Sequence, residues 1–162
     1  MSSSAQPKIR IRRPDPSRFA ADADAVTKLF IEARRKAMPK LRASRSDEET
    51  YEWMREVVFP RRSIRIAEQG DEIVGFAARD GAWLEHLYVK LGFTGRGIGS
   101  ELLNVVINEA KPLTPVLRLH AFQRNEAARR FYERHGFVAV AFGDGSTNEE
   151  GEPDVRYELK LR

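Results

Sequence analysis

The chain has 162 residues, 41% of them apolar and 32% charged, a balance that suits one soluble globular domain with a core of its own. It has no cysteine, which excludes disulfides, thiolate metal sites and a cysteine nucleophile and makes the cytosol the expected compartment. The formal charge of +4 traces to Lys8, Arg10, Arg12 and Arg13; beyond residue 14 the chain carries 24 basic and 24 acidic side chains, so a nucleic-acid reading lacks a basic stripe across the body.

No apolar run approaches the roughly 18–20 residues of a membrane helix. The opening MSSSAQPKIRIRRP lacks the apolar centre of a signal peptide, and residues 1–7 are expected to form a flexible tail ahead of one domain over 8–162. KIRIRRP (8–14) alternates apolar and basic residues, as a strand does. Residues 22–38 place Ala25, Leu29, Phe30 and Ala33 at helical spacing before Pro39. A second helix over 46–59 opens on Ser46 with Glu49 three residues on, the pattern of a capping box, and is expected to stop at Pro60. Residues 63–81 read as a hairpin turning near Gly70-Asp71, and 83–89 as a central strand, apolar on both faces. After a glycine-rich turn, Ile98, Leu102, Leu103, Val105, Val106, Ile107 and Ala110 trace a helix. A strand over 115–123, a capped helix over 125–136 ended by Gly136, and strands over 137–142 and 155–161 complete the chain. The order β-α-α-β-β-β-α-β-α-β-β predicts an α/β fold with helices on both faces of a mixed sheet.

TGRGIGSELL (94–103) sets Gly95, Gly97 and Gly99 at alternate positions where a helix begins. A strand, such a turn and a helix start gather unpaired N–H groups around one point, with the positive end of the helix dipole behind them. Phosphate is the usual guest, and Arg96 adds a charge. The P-loop is excluded, because Gly99 is followed by Ser100-Glu101 where Lys then Ser/Thr is required. The dinucleotide fingerprint fails too, since its third glycine would fall on Ser100 or Leu102.

LYVKLGFTGRGIGSELL followed by NEAARRFYERHGF resembles the GNAT superfamily of acetyl-CoA-dependent N-acetyltransferases. The family's first motif is Gln/Arg-x-x-Gly-x-Gly/Ala ahead of a helix. Its second, one strand later, is matched by Asn125, Ala128, Phe131, Tyr132, Gly136 and Phe137. Thr94 stands where Gln or Arg is usual, and Leu91 where a proline is common. The resemblance implies a central, mostly antiparallel sheet of about seven strands and acetyl-CoA as co-substrate, with no metal. It implies that Leu87, Tyr88 and Val89 offer backbone hydrogen bonds to the pantetheine arm. Thr94, Gly95, Arg96, Gly97, Ile98, Gly99 and Ser100 would hold the pyrophosphate. Asn125, Ala128, Phe131 and Tyr132 would complete the cofactor wall, with Asn125 also a helix cap.

An amine with a pKa near 10 must lose a proton before it attacks a thioester, and the departing thiolate benefits from an acid. Without cysteine, direct attack in a ternary complex is the simpler route. Tyr132 matches the family's acid. Glu85 is one candidate base, placed by strand alternation on the face of Leu87 and Val89. His120, on the neighbouring strand, is the competitor, and a site without a dedicated base stays open. His86 is expected to pack on the face opposite Glu85. Tyr51, Trp53 and Met54 either line the acceptor site or belong to the core.

The loop over 143–155 holds Asp144, Glu149, Glu150, Glu152 and Asp154. It fails as a calcium loop, having Glu149 at the sixth position and Val155 at the twelfth. It is either a solvated loop or an acidic rim that draws in a cationic amine. The acceptor class stays open between a small amine, an amino acid, an antibiotic and a peptide N-terminus or lysine. So does the alternative of a non-catalytic acyl-CoA-binding sensor of the same fold. The reading leaves room for a homodimer and gives no role to nucleic acid or membrane.

Overall fold

Residues 8–162 are described by the computed structural model, and the expected tail over 1–7 lies outside them. The chain runs through strand β1 (Ile9–Arg12), helix α1 (Phe19–Ala37), helix α2 (Asp47–Trp53) and a helical turn α3 (Phe59–Arg61). Strands β2 (Ser63–Gln69), β3 (Glu72–Asp80) and β4 (Trp83–Val89) follow, then helix α4 (Ile98–Ala110). Strand β5 (Val116–Phe122), helix α5 (Glu126–Arg134) and strands β6 (Val138–Gly143) and β7 (Asp154–Lys160) end the domain. All seven strands form one sheet in the order β1-β2-β3-β4-β5-β7-β6. Every neighbouring pair is antiparallel except β4–β5.

Alternation along β3 feeds two apolar layers on opposite faces of the sheet. Ala77 packs with Leu102, Leu103 and Val106 of α4. Phe76 and Ala78 pack with Val26, Leu29 and Phe30 of α1. Phe76 and Leu102 are fully buried, and each such side chain contributes about 1.5–3 kcal/mol over leaving it in water.

Three local expectations change. Helix α1 starts at Phe19 rather than residue 22, because Asp15 caps a short 3-10 turn over Pro16–Arg18 that leads into it. Its inward face carries Ala23 and Val26, and Ala25 is exposed. The capping box at Ser46 and Glu49 forms in both directions, but Pro60 does not stop the helical path. Residues Met54–Val58 widen into π geometry, with the Phe59 N–H donating to Met54 O, and the path runs on to Arg61. A proline lacks the N–H and crowds the carbonyl one turn back, and the wider turn relieves both.

The basic arm is drawn into the fold. Arg12 hydrogen-bonds both carboxylate oxygens of the buried Asp22, at 2.8 and 2.9 Å, and its Nε reaches Glu68 at 2.9 Å. Arg10 also pairs with Glu68. Burial works against a charged Asp22, but the Arg12 hydrogen bonds and the Asp15 N–H outweigh it and hold its carboxyl below the usual range. This network ties β1, β2 and the start of α1 together. It leaves Arg10 and Arg12 committed to protein carboxylates.

Candidate functional site

Strands β4 and β5 share one register pair, Trp83 with Arg118, at the start of their ladder. Beyond it they part, and a cleft of about 970 Å3 opens between Leu84–Val89 on one side and His120, Ala121 and Phe122 on the other. The outer edge of β4 therefore keeps backbone groups that no strand covers. Helices α4 and α5 form one end of the cleft, and the second half of α1 with Asn148 and Glu150 of the β6–β7 loop forms a wall.

The three glycines at the start of α4 answer to different constraints. Gly95 and Gly97 have φ of 76° and 83°, the left-handed region that side chains rarely adopt. Gly99 has an ordinary φ, but a Cβ there would stand 3.3 Å from the Phe131 ring. The turn thus alternates conformations as an anion-binding nest does. The first hydrogen bond of α4 is Glu101 N–H to Gly97 O, 3.0 Å. The N–H groups of Ile98, Gly99 and Ser100 precede it and have no acceptor within the helix.

Of the residues named from sequence, Leu87–Val89, Thr94, Gly95, Gly97 through Ser100, Asn125, Ala128, Phe131 and Tyr132 all line this cleft. Arg96 does not; its guanidinium lies over the Phe93 ring, 4.8 Å from the centroid. The Ser100 side chain is engaged elsewhere. His135 Nδ1 donates to Phe131 O at 2.8 Å, so in the neutral ring Nε2 accepts from the Ser100 hydroxyl at 3.0 Å. Ser100 can offer the cleft its N–H but not its hydroxyl in this arrangement. Asn125 caps α5 through Oδ1, which accepts from Ala128 N–H at 3.2 Å.

Tyr132, Glu85 and His120 line the same cleft. Burial, with Tyr88 close by, pushes the Tyr132 hydroxyl well above its usual pKa, so it stays protonated across the physiological range. Glu85 stands at a bulge: Ala78 faces His86 and Arg79 faces Leu84, leaving Glu85 without an opposite residue. Leu84, Leu87 and Val89 all pack on the α4 side, so alternation breaks at Glu85 and strand parity does not fix its direction. Its carboxylate accepts from Arg62 Nε at 2.6 Å. His120 is exposed and stacks on Trp83, centroids 5.0 Å apart and planes 11° apart.

His86 packs among Phe30, Trp53 and Phe76. Burial pushes its pKa down to about 3, helped by the charges of Arg34, Arg62 and Arg45, so it is neutral. Met54 is core, and Trp53 lines a second, smaller pocket of about 290 Å3 between α1 and α2; Tyr51 lines neither space.

The acidic rim is not free. Glu150 pairs with Arg34 at 3.4 Å, Glu149 with Arg45 at 3.4 Å, and Glu152 with Arg124 at 2.6 Å. Sequence reasoning missed Arg34 and Arg45 altogether. Their partners lie more than 100 residues away, and no local pattern announces such a meeting. Among the described residues no group of three or more His, Asp or Glu could hold a metal ion, and no helix is long and apolar enough to cross a membrane.

Residues 27–137 match the model of the acetyltransferase (GNAT) family. No curated protein matches the chain by sequence. Among solved structures, an N-acetyltransferase from Staphylococcus aureus Mu50 aligns at 20% identity and a TM-score of 0.72, over 96% of this chain and 99% of that one. The structure of yncA from Salmonella typhimurium with its cofactor acetyl-CoA aligns at 19% identity and 0.72, over 96% and 95%. The paia N-acetyltransferase from Thermoplasma acidophilum in complex with coenzyme A aligns at 20% and 0.69, over 94% and 99%.

Proposed function

Because the chain belongs to the acetyltransferase (GNAT) family, we propose that it moves the acetyl group of acetyl-CoA to a primary amine by direct attack in a ternary complex. The observation that carries this reading is the joining of two features in one cleft. A nest of backbone N–H groups opens α4 at one end, and the protonated Tyr132 lines the same cleft as the uncovered stretch of β4. The fit to acetyl-CoA is good. Phosphates suit the nest and the α4 dipole, and an amide-bearing arm suits the open strand edge. Two proteins of similar fold were solved with acetyl-CoA or coenzyme A, which supports the same donor here.

The donor supplies an activated acetyl thioester. The chain's residues then hold it, position the amine and handle two protons. The amine nitrogen forms the new bond to the acetyl carbon as the carbon–sulfur bond breaks. Tyr132 gives its proton to the leaving sulfur. The proton lost by the amine goes to Glu85, directly or through a water, or to His120. Arg62 raises the stakes for Glu85: the ion pair fixes the carboxylate's direction, and its hydrogen bond pushes the Arg62 pKa up.

Free thiol release from acetyl-CoA across a panel of primary amines tests the reaction. Turnover with at least one amine is expected. Tight acetyl-CoA binding with no release for any amine would make the chain a non-catalytic acyl-CoA-binding module. Profiles of kcat/KM against pH for Glu85→Gln and His120→Ala identify the base, because the variant that removes it loses the rise in rate with pH.

A further inference from the structure

The smaller pocket is a candidate seat for the acceptor. It lies between α1, α2 and the connection joining them, and among the described residues Arg34 alone lines both it and the large cleft. Its lining is partly apolar, with Phe30, Ile31, Met38, Leu41 and Trp53. It also includes three arginines, of which Arg35 is held by Asp47.

Arg34 and Arg45 are differently placed. A guanidinium has five N–H donors, yet neither side chain makes a hydrogen bond to a protein carboxylate. Their ion pairs to Glu150 and Glu149 are both 3.4 Å, longer than the roughly 2.7–2.9 Å of a charge-assisted hydrogen bond. Arg34 Nε is the one buried side-chain nitrogen or oxygen without a partner among the described residues. Arg34 lies over Phe30 and Phe122, and Arg45 over Trp53 at 4.2 Å, so each head rests on a ring as well as facing one distant acid. Both charges also act on His86, at the base of the same aromatic cluster.

We infer that Arg34 and Arg45 seat the carboxylate of a free α-amino acid, with its apolar side chain against Trp53 and Met38 and its α-amine in the cleft as acetyl acceptor. This rests on the amine-acetylation reading above. The chemistry selects this class for three reasons. Amine and carboxylate on one carbon fit a guanidinium at the junction of pocket and cleft. A volume of about 290 Å3 lies just below the roughly 300–1,000 Å3 of drug-sized small-molecule sites, which suits a ligand as small as an amino acid. A polyamine or a protein lysine brings no carboxylate and would leave the buried Arg34 Nε without an acceptor.

The test titrates L-leucine and L-phenylalanine into the protein saturated with coenzyme A, beside 3-methylbutylamine and phenethylamine, which lack only the carboxylate. The amino acids should bind at least about 30-fold more tightly, the scale of hydrogen bonds to a charged group. Arg45→Gln should abolish most of that preference while coenzyme A affinity holds. Glu149→Gln, which frees Arg45, should tighten leucine binding two- to fivefold. Equal binding of acid and amine, or a preference untouched by both variants, overturns the inference. Thiol release is read in parallel. Leucine binding without release would leave the carboxylate seat standing and sink the transferase reading; release with the carboxylate-free amines alone would do the reverse.

Discussion

The turn over Thr94–Ser100 meets the cleft with backbone, whereas α1 and the β6–β7 loop meet it with long charged side chains. The first needs glycines at three alternate positions within seven consecutive residues, two of them at positive φ. The second needs Arg34 and Glu150 brought together from two distant segments. Their foundations differ as well. Helices α4, α5 and α1 all rest on apolar layers, but the start of α1 is in addition tied down by the Arg12–Asp22–Glu68 network. A backbone-built wall keeps one chemistry for one kind of guest. A wall of side chains can change its guest by changing a residue.

The largest effect should come from Tyr132→Phe, which keeps the ring in its layer and removes the proton. A fall in kcat of about 10²–10⁴-fold is expected, with acetyl-CoA affinity nearly unchanged, read by thiol release and calorimetry. Full turnover at every pH would remove Tyr132 from the acid's role.

Asp22→Asn attacks the opposite wall at its base. Arg12 is 14% exposed and Asp22 4%, and removing one partner of such a pair costs about 3–5 kcal/mol. Glu68 still holds Arg12, so the lower end is expected, measured by urea unfolding. The pH dependence has a definite sign. Burial pushes the Asp22 and Glu68 carboxyls up, but hydrogen bonds from Arg12 outweigh it, and both titrate below their ordinary values. Their contribution is complete above the unfolded carboxyl range near pH 4 and is lost as pH falls through the lower folded values. Asp22→Asn should therefore flatten the acid limb of the stability curve; an unaltered limb would show that the network does not hold α1.

The smallest effect is Gly97→Ala. Nothing lies within 4 Å of the place a Cβ would take there, so the cost is conformational: about 1–2 kcal/mol for a side chain at positive φ. The free turn is expected to relax out of the nest to relieve it, and restoring the nest on binding then lowers coenzyme A affinity about tenfold. Binding of L-leucine should hardly move. Loss of both affinities together would mean that the two walls are one unit.

The same contrast explains which parts of the molecule the sequence disclosed. Periodicity carried the element order, the capping box and the turn at Gly70, because each depends on residues a few positions apart. The glycine turn was readable for that reason. Three things were not. The bulge at Glu85 shifts register without a glycine or proline to mark it, so alternation along the strand does not fix that carboxylate's direction. Pro60 reads as a stop, but the π turn before it absorbs the missing N–H. The acidic loop reads as either a solvated loop or an acidic rim, and three of its five acids are met by Arg34, Arg45 and Arg124 from elements distant in the chain.

Backbone amides at the start of α4, facing the gap between β4 and β5, are proposed to hold coenzyme A, and every other assignment in the cleft depends on that. Amide resonances followed by NMR during a coenzyme A titration test it most directly. The N–H signals of Gly95 to Ser100, and those of Leu87 to Val89 along the open strand edge, should shift most, while those of β1 and β2 stay in place. Saturable binding that leaves the Gly95–Ser100 amides unmoved would contradict this placement of the cofactor.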